Sequence, residues 1–129
     1  MLNWIFGRTK SPTPRATKKP NLDISQLDVV GESFYQKQLD KICGGKVKGG
    51  HNLEKIGHLY PEPENPYDKN AVAVYIAQHQ VGHLKKEDAI KFNKAFGRAI
   101  AVDLVIVGGW QDKNGDEGHY GVKLVDVIE

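Results

Sequence analysis

The chain has 129 residues, 40% of them hydrophobic and 26% charged, with one cysteine and a formal net charge of +2. These values suit one globular domain. They exclude an internal disulfide, and no apolar run reaches the roughly 18 residues that a membrane-spanning helix needs. The charge is uneven: Arg8, Lys10, Arg15, Lys18 and Lys19 stand in the first twenty residues with no acid, which leaves the rest of the chain at −3.

In chain order, Leu2 to Phe6 is too short for a signal-peptide core and reads as a sticky end or a weak membrane-surface foot. Gly7 to Asp23 holds three prolines, threonines and basic residues, and only Ala16 and Leu22 are apolar. Such a stretch buries too little surface to offset its ordering entropy. The expected organisation is a basic, Pro-rich, disordered leader over residues 1–26 and a folded domain over 27–129. A basic tail can attract nucleic acid or acidic lipid weakly, or simply solubilise the chain.

The domain should open with a strand in LDVVGES. Ser33 and Gln36 then offer a capping box for a helix over FYQKQLDKI, stopped by Gly44-Gly45. NLEKIGHLYPE reads as a strand. AVAVYIA reads as another, with Val72, Val74 and Ile76 on one face and Ala73 and Tyr75 on the other. A tight turn near Gln78-His79 leads to a short partner strand, QVGHL. A helix is expected over Lys86 to Phe96, with Ala89, Phe92 and Phe96 on one stripe, Glu87 and Lys91 paired, and Gly97 as the stop. AIAVDLVIVGGW is a long strand with Ile100, Val102, Leu104 and Ile106 inward. Asn114-Gly115 is a turn signal, and HYGVKLVDVI pairs back as the last strand. Five or six short strands with one or two short helices predict a mainly β (α+β) fold: a small, partly closed antiparallel barrel of OB or SH3-like size.

The residues speak against catalysis. His51, His58, His79, His83 and His119 form no metal-ligand spacing, and one cysteine removes zinc–thiolate sites. No glycine-rich phosphate loop stands between a strand and a helix, and no nucleophile is paired with a base. No metal and no cofactor are expected.

The segment PENPYDKN raises a different chemistry. Pro66 fixes its own φ and pushes Asn65 toward extended geometry, so Tyr67 presents a ring with little entropy left to lose. Asp68 beside it is acceptor-only when ionised: it repels phosphate and binds a hydroxyl. A stacking ring next to a hydroxyl acceptor suits the end of a nucleic-acid strand. The same residues also suit a plain turn, with Asp68 and Asn70 capping backbone N–H groups. Phe34 and Tyr35 are a second aromatic pair at a loop end. Lys85 and Lys86 open a helix, where lysines and free amides can seat a phosphate or form a solvated turn balanced by Glu87 and Asp88.

Three blocks in this order and spacing, VVGESFYQ, PENPYDKNAVAVYI and QVGHLKKEDA, resemble the HIRAN domain, over roughly Leu27 to the C terminus. The family occurs alone in bacteria and fused to fork-remodelling translocases. The resemblance implies a modified OB-like barrel that binds the 3′ end of single-stranded DNA. It further implies Phe34 and Tyr67 as a clamp on the terminal base with Tyr35 beside it, Asp68 as acceptor for the 3′ hydroxyl, and Asn65, His83 and Lys86 on the phosphate side. It would be a non-enzymatic, cytoplasmic, monomeric DNA-repair or fork-processing module, with a helicase or nuclease acting in trans. Two departures stand out: Ser33 occupies a position that is basic in the best understood member, and Glu62 and Glu64 repel phosphate. A protein-interaction barrel that keeps the fold without DNA binding therefore stays open as the second class.

Overall fold

A computed structural model describes residues 21–128. The expected leader up to residue 20, including Leu2 to Phe6, lies outside the described residues. Six strands form one antiparallel sheet: β1 (Val29–Val30), β2 (His51–Pro61), β3 (Val72–Ile76), β4 (His79–Leu84), β5 (Ile100–Gly108) and β6 (Tyr120–Val127), in the order β1-β4-β3-β2-β5-β6. The edge strands come together where Asp28 bridges Lys123, so the sheet curls into a nearly closed barrel. Two helices complete it, α1 (Gln36–Cys43) and α2 (Lys86–Ala95). This is the mainly β barrel that the sequence predicts. No helix among the described residues is long and apolar enough to cross a membrane.

The core follows from strand alternation. Ile100, Val102, Leu104 and Ile106 of β5 point inward and are buried, as are Val72, Val74 and Ile76 of β3. Leu39 of α1 and Ala89 and Phe92 of α2 join the same cluster. Burying each large side chain is worth about 1.5–3 kcal/mol. Packing also reaches upstream of the expected start at Leu27: Ile24, in a 3-10 turn, is fully buried, and Leu22 packs against the cluster.

Several local expectations give way to tertiary contacts. Ser33 does not cap α1; it lies within a 3-10 turn, Glu32–Phe34, and α1 begins at Gln36 with no side-chain cap. The Gln36 amide serves the barrel edge instead. Its Oε1 accepts from the Tyr120 N–H at 2.8 Å, and its Nε2 donates to the carbonyls of Tyr120 and Glu32 at 3.0 and 2.9 Å. Glu32 Oε2 accepts from the Val122 N–H at 3.1 Å. Two side chains thus finish the open edge of β6 as a neighbouring strand would. The hairpin between β3 and β4 turns at Ala77-Gln78, one residue earlier than expected, because Ile76 pairs with His79. Lys91 lies 4.0 Å from Asp88 rather than pairing with Glu87. Asp88 is buried and accepts from the Asp28 N–H at 2.8 Å, which ties α2 to the seam.

Candidate nucleic-acid interface

Three segments converge at one end of β4. The first is the turn after β1. Gly31 takes a left-handed φ of 78°, which favours glycine, and so redirects the chain into the turn that ends at Phe34. That turn lies close against Gly82 of β4, where any Cβ would sit 2.8 Å from the Val30 carbonyl oxygen. Phe34 emerges 83% exposed, while Tyr35 is half-buried. Burial raises the Tyr35 phenol above its usual range, and the neighbouring Glu62 carboxylate and Tyr75 add to the shift.

The second segment is the loop from β2 to β3. Glu62 continues the ladder through its N–H to the Ala71 carbonyl at 2.8 Å, and its own carbonyl accepts from the Asn65 N–H at 2.9 Å. Asn65 is used up inside the loop. Its Oδ1 accepts from the backbone N–H groups of Tyr67 at 2.8 Å and Asp68 at 3.2 Å, and its Nδ2 donates to Glu62 Oε1 at 3.1 Å. Asn93 of α2 secures the far side, donating to the Asn70 carbonyl at 2.9 Å. On this frame Tyr67 stands 96% exposed. Asp68 Oδ1 accepts from the Asn70 N–H at 2.9 Å, the Asx turn that the local sequence allows. Its Oδ2 has no partner among the described residues, so the carboxylate is half committed to the turn and half free.

The third segment is the end of β4 and the start of α2. His83 Nε2 lies 3.1 Å from Glu62 Oε1. A carboxylate can only accept, so Nε2 carries the proton. Lys85 and Lys86 follow, both exposed, and no side chain caps the first turn of α2. Lys85 lines a 540 Å³ groove along the seam, shared with Asp28, Glu32 and Lys123.

Asn65, Tyr67, Asp68 and His83 are therefore linked through one residue, Glu62, whereas no hydrogen bond among the described residues joins the Tyr35 side chain to it. The sequence suggests Glu62 only as a charge that repels phosphate. In the fold it is the hub: its Oε1 accepts from Asn65 Nδ2 and from His83 Nε2, both at 3.1 Å. The available signal was its position three residues before Asn65, the spacing of a turn. No contact among the described residues joins the side chains of Lys85 or Lys86 to this hub.

A family model described as HIRAN domain matches residues 24–107. No curated protein matches the chain. Among solved structures, the crystal structure of the HIRAN domain of human HLTF is 30% identical, covering 76% of this chain and 71% of that one, with a TM-score of 0.35. The matched span takes in the turn of Phe34, the Tyr67 loop, β4 and α2, and by it the chain belongs to the HIRAN domain family.

Proposed function

We propose that this chain is a non-catalytic module that recognises the 3′-hydroxyl end of single-stranded DNA, acting as a monomer beside a helicase or nuclease of DNA repair supplied in trans. Family membership supports a DNA-binding role, and the single cysteine fits a reducing compartment such as the cytoplasm. The observation that carries the end reading is the pair Tyr67 and Asp68: a fully presented ring on a loop pinned by Asn65, beside a carboxylate with one free oxygen. Phe34 and Tyr67 stack on the terminal base, Tyr35 supports them, and Asp68 Oδ2 accepts the 3′ O–H. Asn65 acts by holding the loop. His83, Lys85 and Lys86 attend the phosphates, and His83 also donates to Glu62.

A terminal phosphate would bring like charges within a few ångströms of Asp68. A strand ending in a 3′ hydroxyl should therefore bind well, and the same strand ending in a 3′ phosphate much more weakly. Asp68→Asn should narrow the gap, since an amide donates as well as accepts. Lys86→Ala should weaken both ends alike and flatten the salt slope by about one unit. Equal affinity of the wild type for both ends removes the end-reading role. The net charge of −3 beyond residue 20 favours the second reading, a protein-interaction barrel. Failure of both strands to bind at low salt would select it.

A further inference from the structure

The outer face of the barrel beside this site carries an aromatic strip. In β2 the outward residues are Glu54, Ile56, His58 and Tyr60, and in β3 Tyr75; Ala73 shares that face but is fully covered. Register places His58 opposite Tyr75 and Tyr60 opposite Ala73, and Ala73 in turn opposite His83 of β4. The Tyr60 and Tyr75 rings meet edge to face at 5.3 Å, and those of His58 and Tyr60 lie within 19° of parallel at 5.8 Å. On its far side His58 is in register with Ala101, whose methyl group offers little cover. The strip is continuous with the end site, because register carries Tyr60 through Ala73 to His83, which lies 3.1 Å from Glu62.

Its charge sets it apart. From Tyr75 and Tyr60 to His58 no outward residue is an acid, although the chain beyond residue 20 is net negative; Glu62 stands at the end-site side of the strip, its carboxylate engaged by Asn65 and His83. Acids return one step further along, with Glu54 on β2 and Asp103 opposite Ile56 on β5. A row of π faces without carboxylates, bounded by carboxylates, fits bases whose phosphates must avoid negative charge. Base–aromatic stacking tolerates any sequence, and OB-type folds typically engage about 4–16 nucleotides, more than a terminal clamp alone would hold.

We propose that Tyr75, Tyr60 and His58 form a second binding surface, on which the nucleotides preceding the 3′ terminus stack as the strand runs away from the Tyr67 loop. Beyond Tyr75, Tyr60 and His58 offer about two further stacking positions along the surface before Glu54 and Asp103 end the path. The surface deepens the end-binding role and rests on it for the polarity of the strand.

The test is a calorimetric titration of the full chain with oligothymidylates of two, four and six nucleotides, each with a free 3′ hydroxyl. Wild-type affinity should rise from two to four nucleotides by about 5-fold or more for each added base and then level off. Tyr60→Ala and His58→Ala should remove that gain while leaving the dinucleotide affinity unchanged, and Tyr60→Phe should restore it. No gain with length in the wild type, or an equal gain in Tyr60→Ala, overturns the proposal without touching the end site. If the dinucleotide does not bind but longer strands bind and depend on Tyr60, the strip stands and the end reading falls. If no strand binds, both fall.

Discussion

Asn65→Ala should weaken DNA-end binding while leaving the barrel almost as stable as before. The substitution removes the acceptor of two backbone hydrogen bonds, from Tyr67 at 2.8 Å and Asp68 at 3.2 Å, and the donor to Glu62 at 3.1 Å. Net contributions of about 0.5–1.5 kcal/mol per bond give about 1–3 kcal/mol for the backbone pair. Tyr67 is exposed, so water replaces part of this, and about 1–2 kcal/mol remains. That is comparable to the cost of fixing one residue's backbone, about 1–2 kcal/mol. The free loop of the variant therefore samples other conformations, and a ligand must restore order as it binds. Affinity for a 3′-hydroxyl oligonucleotide should drop about 5- to 30-fold, while stability in urea should change by no more than the same ~1–2 kcal/mol, because no core side chain moves. Hydrogen exchange supplies the link: the Tyr67 and Asp68 amides should lose protection. Wild-type affinity together with lost protection would refute the idea that loop order sets binding. A loss of several kcal/mol in urea would show that the loop belongs to the core.

Tyr67→Ala should cost about 1–3 kcal/mol in binding to the same oligonucleotide and leave the melting temperature unchanged, since the ring is 96% exposed; unchanged affinity would remove it from the clamp. Gln36→Ala should destabilise the barrel by about 2–4 kcal/mol in urea, because the N–H and C=O of buried Tyr120 lose their partner. Ser33→Ala should stay within about 0.5 kcal/mol, and the reverse ranking would restore the capping box. Burial, followed by the hydrogen bond to Asp40, raises the Tyr120 phenol above its ordinary value of 10.0. A raised acid is stabilised in its protonated form, so this contribution is intact below about pH 10 and lost as pH rises through the folded value. Tyr120→Phe should lower stability at neutral pH but flatten the decline above pH 10, with Tyr35, shifted in the same direction, supplying the remaining slope. Parallel declines in the two proteins would dismiss the Tyr120 contribution.

What the sequence determined by itself was whatever repeats at short range. The inward face of β5 was legible because side chains alternate along any strand. The stop of α1 was legible because Gly44 supplies a left-handed φ of 78° without steric cost. The loop chemistry of Pro66, Tyr67 and Asp68 was readable too, since proline stiffness and carboxylate chemistry are properties of the residues. Tertiary structure alone decided which partners the polar groups found. Gln36 had an acceptable local role as a cap partner, yet its amide bonds Tyr120, 84 positions away. One local cap and one strand-edge pairing differ by about 1 kcal/mol or less in intrinsic worth, so the burial of the Tyr120 backbone tips the choice. Glu62 became a hub and not merely a repulsive charge because the fold carries His83 to it from 21 positions further on. The aromatic strip of Tyr75, Tyr60 and His58 exists only through the register of β2 on β3, and a one-residue slip would turn every one of those side chains to the other face.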